Sequence, residues 1–395
     1  MLTRYFRIIL LLSLIAIDEA SNSVVLKASE QSYSKVVAYS SLFVFMILQF
    51  IAAPIQSAIS DFWCRRKSLY IAMGSTVISS FLLSFFPYLV LIVKGLIGNV
   101  VPIARAGVAD ENLRDFRSSI GLTTVAISLG YLIIRELSDL FGSRYLYLGV
   151  ASLGLITLFF LYFYKDERDI EYRSPRVLQN ASLTIKIKAS LVELYRDFLS
   201  KPFFFNSLLA YFFFEMAFYC LFLTNIELGI ESFKHIPYLM VLGYFLGVIL
   251  LWSYTFTMKT KNGEGDKIYI VIGIVISLFA LILFIFYKKL ALVATIFAFG
   301  FGFFVPALFS RISYRRRTIE GIIASHEQGK IYGLIDSADS LAFILSILII
   351  NIFEISKLHF YFFISFTFYL LGVYNYIKSE YFNIIKTNGN IKRIK

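Results

Sequence analysis

Residues 57–67 read Ser57-Ala58-Ile59-Ser60-Asp61-Phe62-Trp63-Cys64-Arg65-Arg66-Lys67. Asp61, Arg65, Arg66 and Lys67 are charged, yet the segment is wedged between apolar stretches near 36–59 and 68–86. A short charged turn between two stretches of about 20 apolar residues is what a chain needs to cross a bilayer and return. The composition extends that reading to the whole chain. Of 395 residues, 58% are hydrophobic and only 16% are charged, against about 25% charged in soluble domains. A water-soluble enzyme of this length could not bury so much apolar surface. The two cysteines, Cys64 and Cys220, exclude a disulfide framework and a cysteine zinc site.

Working outward from residue 57, twelve apolar stretches emerge. They lie near 5–26, 36–59, 68–86, 88–109, 119–140, 143–164, 203–227, 237–257, 268–287, 290–312, 331–353 and 359–378. The first resembles a secretory signal, because Arg4 and Arg7 precede an apolar run. Asp18 and Glu19 interrupt that run and no small-residue cleavage site follows, so it reads as a retained helix. Twelve spans put both termini on one side. Most of the 38 Lys and Arg fall there, including Arg65, Arg66, Lys67, Arg315, Arg316, Arg317, Lys392, Arg393 and Lys395. Positive charge collects in cytoplasmic loops, so both termini are expected in the cytoplasm. The net charge of +12 then needs no nucleic-acid partner.

The longest polar stretch, 165–202, divides the chain. The expected organisation is an N-terminal six-helix bundle over 1–164, a cytoplasmic linker over 165–202, a C-terminal six-helix bundle over 203–378 and a basic cytoplasmic tail over 379–395. In the linker, Ile187, Leu191, Leu194, Tyr195 and Phe198 recur at helical spacing, which predicts an amphipathic surface helix. The halves also carry matching signals. Gly98-Asn-Val-Val-Pro102 matches Gly302-Phe-Phe-Val-Pro306, and Gly121-Leu122 with Ser128-Leu129 matches Gly333-Leu334 with Ser340-Leu341. These predict parallel repeats, an arrangement found in transporters.

At this point residues 57–67 become specific. They resemble the loop signature of the major facilitator superfamily, Gly-x-x-x-Asp-x-x-Gly-Arg-Arg/Lys-Arg/Lys, with Ser57 and Cys64 in place of its two glycines. Lys94-Gly-Leu-Ile-Gly98 resembles that family's Arg-x-x-x-Gly, and Arg117–Leu122 resembles the segment opening its fifth helix. The loop Lys259–Lys267 has largely lost the corresponding signature, and the glycine- and proline-rich span-five pattern of many exporters is not evident. The resemblance implies an all-α membrane fold of twelve helices in two parallel six-helix pseudo-repeats. It also implies that Asp61 sits at the inner end of span eleven and that Arg65 pairs with Asp110. A gate of Asp61, Arg65, Arg66, Arg105, Asp110, Asp336 and Asp339 follows from that placement and from depth. The alternative for Arg65–Lys67 is a topology signal and nothing more.

Charge inside a bilayer needs a partner, a cavity or a function. Asp18 and Glu19 lie about 20 Å into span one, Glu215 about 18 Å into span seven, and Lys94 about 9 Å from the outer end of span four. Asn22 follows Asp18 by one turn. Arg135 and Glu136 occupy the outer half of span five. Tyr211 and Tyr219 flank Glu215 at one-turn spacing. These nine residues form the expected solute and proton pathway. The resemblance implies that spans one, four, seven and ten line one cavity, which would gather Asp18 or Glu19, Lys94 and Glu215. Lys94 either binds a solute carboxylate or forms a static pair with Asp18. The phenylalanine runs 203–205 and 212–214 read as lipid-facing filler.

No phosphate-binding loop, metal cluster, nucleophile elbow or metalloprotease helix is evident, so no enzyme activity, cofactor or metal is expected. The triplet Asn180-Ala181-Ser182 fits a glycosylation acceptor on the wrong side of the membrane. The expected function is a proton-coupled secondary transporter of a small polar or zwitterionic solute, such as an amino acid. Its expected partners are that solute, protons and the lipid bilayer, and it is expected to act as a monomer in a bacterial inner (plasma) membrane. The rival readings are an exporter of amphipathic drugs and a non-transporting receptor or scaffold with the same fold.

Overall fold

The computed structural model describes residues 2–32, 35–82, 87–111, 116–141, 143–164, 200–227, 236–258, 266–287, 290–320, 328–352 and 358–394, with 192, 195 and 196. Every regular element among them is a helix. In order they are α1 (Leu2–Ser32), α2 (Lys35–Trp63), α3 (Arg65–Leu82), α4 (Pro87–Ile97), α5 (Val100–Glu111), α6 (Phe116–Phe141), α7 (Ser143–Leu161), α8 (Pro202–Glu227), α9 (Ile236–Met258), α10 (Asp266–Tyr287), α11 (Leu290–Glu320), α12 (Gln328–Ile352) and α13 (Leu358–Ile394). Because α4 and α5 are two pieces of one span, thirteen helices make twelve passes. The amphipathic segment of the linker and the Asn180 triplet lie outside the described residues. The basic tail continues α13 as helix to Ile394.

Among the described residues, seven segments of 19 to 23 residues are long and apolar enough to cross a membrane, including Leu42–Asp61, Val90–Glu111, Ala291–Ser313 and Gln328–Ile350. Shorter apolar stretches lie in α6, α7 and α9. Two helices fall outside these groups for a reason visible in their residues. α1 carries Asp18 and Glu19, and α3 carries Ser68, Ser75, Thr76, Ser79 and Ser80. Asp18 and all five hydroxyl side chains are buried rather than turned to lipid.

The break in span four was not expected. Gly98 N–H still donates to Lys94 O at 2.8 Å, but Gly98 O then accepts from Val100 N–H at 2.9 Å. Pro102 explains the interruption. In an unbroken helix its ring would press on the carbonyl four residues back, which belongs to Gly98. In the first turn of α5 that conflict disappears. Gly98 also leaves room, since a methyl group there would lie 2.8 Å from Lys94 O. In the second half Gly302 and Pro306 have the same spacing, yet α11 runs on with Pro306 inside it. There Gly302 serves packing instead: a methyl group on it would lie 2.1 Å from Tyr244 O of α9.

The chain forms two compact units. The first takes Met1–Leu191 and Arg316–Ser340, and the second takes Val192–Arg315 and Leu341–Lys395. α12 is thus divided, its first half packing with the first unit. The core of the first unit joins Leu11, Leu14 and Ile15 of α1 to Leu69 and Met73 of α3 and to Val100, Ile103 and Ala104 of α5. The second unit has an aromatic core. Phe214 of α8 lies 4.7 Å from Phe304 and 5.0 Å from Tyr369 between ring centroids. The expectation that the phenylalanine runs face lipid fails here. Phe203, Phe204 and Phe214 are buried, while Phe205 is exposed. With rings of α10, α11 and α13 packed together in one aromatic interior, a ring on α8 has more to gain from other rings than from lipid.

Candidate functional site

α2 ends at Trp63 and α3 begins at Arg65, so Cys64 alone makes the turn between them. Its φ is 138°, a region that L-residues other than glycine rarely adopt. On the α2 side, Asp61 reaches the first turn of α12. Its Oδ1 accepts the Gly329 N–H and its Oδ2 the Lys330 N–H, each at 3.0 Å. These are donors that a helix start leaves without intrahelical partners, and they sit at the positive end of the helix dipole. The approach is close enough to require glycine. A methyl group on Gly329 would lie 2.3 Å from Ser57 O and 2.7 Å from Asp61 Oδ1.

Arg65, with no exposed side-chain surface, ties this cap to span four. One guanidinium nitrogen lies 2.5 Å from Asp61 Oδ1, and Nε lies 3.2 Å from Asp110 Oδ2. A further nitrogen donates to Ser60 Oγ. Gly329, Gly333 and Ser337 recur every four residues, so they share one face of α12. That face lies on α2: Gly333 is tight against Pro54 and Ala53, and Ser337 Oγ donates to Phe50 O at 2.8 Å. Small residues at this spacing allow such an approach. Arg66 stands apart from the cap, with a 3.4 Å bond to Tyr164 O.

Deeper in the first unit, Asp18 and Lys94 form a buried ion pair. Lys94 Nζ is 3.3 Å from Asp18 Oδ1 and donates to Asp18 O at 3.1 Å. Thr76 Oγ1 donates to the same Oδ1 at 2.7 Å. One turn on, Ser21 and Ser80 bond at 3.1 Å. Three helices, α1, α3 and α4, thus meet around one carboxylate. Glu19 points elsewhere and accepts from Asn22 Nδ2 at 3.3 Å. Arg105 of α5 pairs with Asp336 of α12 at 3.2 Å. Asp339 follows Asp336 by three residues and is half-buried.

The remaining expected residues fall elsewhere. Glu215 is buried on α8 in the second unit. Tyr211 packs on Phe309 and Tyr219 on Phe343, each pair with centroids 4.9 Å apart. The side chains of Arg135 and Glu136 lie outside the described residues. The sequence reading missed Thr76, Ser21 and Ser80, whose role depends on which helix they face. It also missed a charge cluster in the second unit. There Arg311 makes a bidentate pair with Glu380, at 2.5 and 2.7 Å, and Lys267 joins the same carboxylate at 3.1 Å. Asp266, beside Lys267, accepts from Ser310 Oγ at 3.1 Å. An Arg at the end of span ten and a Glu at the end of span twelve were the available signal.

A family model described as Major Facilitator Superfamily matches residues 8–347. The chain belongs to the major facilitator superfamily. It is therefore an integral, multi-pass membrane protein and a secondary transporter, not an enzyme. Among solved structures, it is similar to the human organic anion transporter MFSD10 (TETRAN), with a TM-score of 0.74, 16% identity, and 95% of this chain and 99% of that one covered. It is also similar to XylE, a proton:xylose symporter solved with 6-bromo-6-deoxy-D-glucose. That match has a TM-score of 0.68 and 16% identity, and it covers 94% of each chain. No curated protein sequence matches. In this superfamily member the fold is shared with both neighbours at an identity too low to carry a substrate across.

Proposed function

We propose that the protein moves a small polar or zwitterionic solute by alternating access, driven by protons, with both termini in the cytoplasm of a bacterial inner membrane. The observation that carries this reading is the Asp18–Lys94–Thr76 cluster, buried in apolar surroundings. An ion pair there is a weak source of stability, because desolvation offsets much of its Coulomb gain. Its worth lies in having two states. A proton on Asp18, or a solute carboxylate at Lys94, would each replace the internal pair. Glu19, Asn22, Arg135, Glu136 and Glu215 with Tyr211 and Tyr219 complete the proposed pathway.

The Asp61 cap and the Arg65–Asp110 and Arg105–Asp336 pairs form the proposed cytoplasmic gate, with Arg66 and Asp339 at its margins. They hold the first half of α12 against α2 and α5 while the inner side is closed. Opening hands the Gly329 and Lys330 N–H groups to water. One of the structural neighbours is a proton symporter, which is consistent with proton drive but comes from a distant relative. The test is a metabolite uptake screen in proteoliposomes with and without an imposed pH gradient. A solute whose uptake rises with the gradient supports the reading. Uptake that ignores the gradient removes the proton.

A further inference from the structure

The proposed gate is closed at a cost that this chain has written into three of its own residues. Cys64 carries a φ of 138°, where a β-carbon is disfavoured. The reason it is held there is local. Arg65 follows it directly, and the same side chain must reach Asp61 on one side and Asp110 on the other. The reversal between α2 and α3 is therefore completed in a single residue. Close by, Ser57 and Gln328 are fully buried. The Ser57 hydroxyl and both polar atoms of the Gln328 amide have no hydrogen-bond partner among the described residues. Ser57 touches the cap, since its carbonyl faces Gly329. Gln328 is the residue immediately before the two N–H groups that Asp61 accepts.

We infer that the turn and its two unpartnered polar groups bias this gate toward opening. Cys64 acts as a positioning residue, through its backbone rather than its thiol. When Asp61 releases α12, its carboxylate is free to follow Arg65, so the turn no longer has to be this tight and residue 64 relaxes to negative φ. The Ser57 and Gln328 groups gain water in the same step, so every one of these costs is confined to the closed state. The closed gate is held by four charged or capping contacts and opposed by one strained torsion and two buried groups. Such an element is poised rather than locked.

This inference rests on reading the Asp61 cap as the gate, but its test does not need a transported solute. The readout is hydrogen exchange of the Gly329 and Lys330 amides, in full-length protein reconstituted in lipid, followed by mass spectrometry. Those two amides exchange only when the Asp61 cap opens. Cys64→Gly, which removes the strain, is expected to slow their exchange about tenfold. Cys64→Ala keeps a β-carbon at the same φ and is expected to leave the exchange unchanged. Gln328→Leu removes the buried amide at similar volume and is expected to slow exchange several-fold. Equal slowing by Cys64→Ala and Cys64→Gly would assign the effect to the thiol and overturn the inference. Unchanged or faster exchange in both Cys64→Gly and Gln328→Leu would overturn it as well. Unimpaired transport in Asp61 variants, with the exchange pattern of the Cys64 and Gln328 variants intact, would instead count against the gate reading.

Discussion

The two units each end in a buried charge cluster, and the clusters are built differently. In the first, one carboxylate is shared among two backbone N–H groups and an arginine, and the helix it caps sets a first-turn glycine against the backbone of α2. In the second, Arg311 and Glu380 form a two-pronged side-chain pair, braced by Lys267, and bind α10, α11 and α13 of one unit to each other. The difference separates a contact that can be handed to water from one that cannot. Backbone donors at a helix start are satisfied equally by a carboxylate or by solvent. Arg311, almost wholly buried, has no such substitute if its carboxylate is lost, whereas Arg65 keeps Asp61 and Asp110, which lie on α2 and α5 rather than on the helix that is released. The first cluster is suited to opening and closing, and the second to staying shut.

The comparison breaks most readily at Arg311. Replacing Glu380 with Leu leaves that guanidinium buried without its pair and should cost about 3–5 kcal/mol. Thermal unfolding of the solubilised protein is expected to fall sharply. A midpoint within a few degrees of the parent would show that the second cluster is no clamp. Gly329→Ala comes next. Its methyl group meets backbone that cannot step aside, so the cap should be lost at about 1–3 kcal/mol. The expected signature is fast exchange of the α12 amides with the second unit's helices unaffected. A last prediction concerns Asp18 and Lys94. A double-mutant cycle with Asp18→Asn and Lys94→Met should give a coupling of about 1–3 kcal/mol in thermal stability. Coupling near zero would mean that the pair holds neither the bundle nor a proton.

The fold was legible because lipid imposes a simple rule. Each span needs about 20 apolar residues, and the apolar runs recur regularly enough that twelve passes could be counted. The exceptions are instructive. The interruption at Gly98 was hidden because Gly-x-x-x-Pro occurs again at Gly302–Pro306, where the helix does not break. Sequence spacing alone cannot say whether a proline's clash is relieved by a break or absorbed by local adjustment. At the site, the charges were visible as anomalies in apolar runs, and residues 57–67 carried their family pattern openly. Their partners were not visible. Thr76 looks like any polar residue in a serine-rich helix until α1 is laid against it, and Arg311 and Glu380 are separated by 69 positions. The glycine pattern lost at Cys64 was legible as a departure. Only the backbone showed that the glycine conformation had been kept.

The central claim is that the Asp61 cap is the contact that opens during transport. Asn at this position can still accept one N–H, but it cannot accept both or pair with Arg65. With a solute identified by the uptake screen, the deciding measurement is its gradient-driven uptake by Asp61→Asn protein, normalised to the amount inserted in the membrane. The account predicts a loss of at least about tenfold with insertion unchanged, corresponding to roughly 1.4 kcal/mol or more. Uptake equal to that of the parent protein would contradict it.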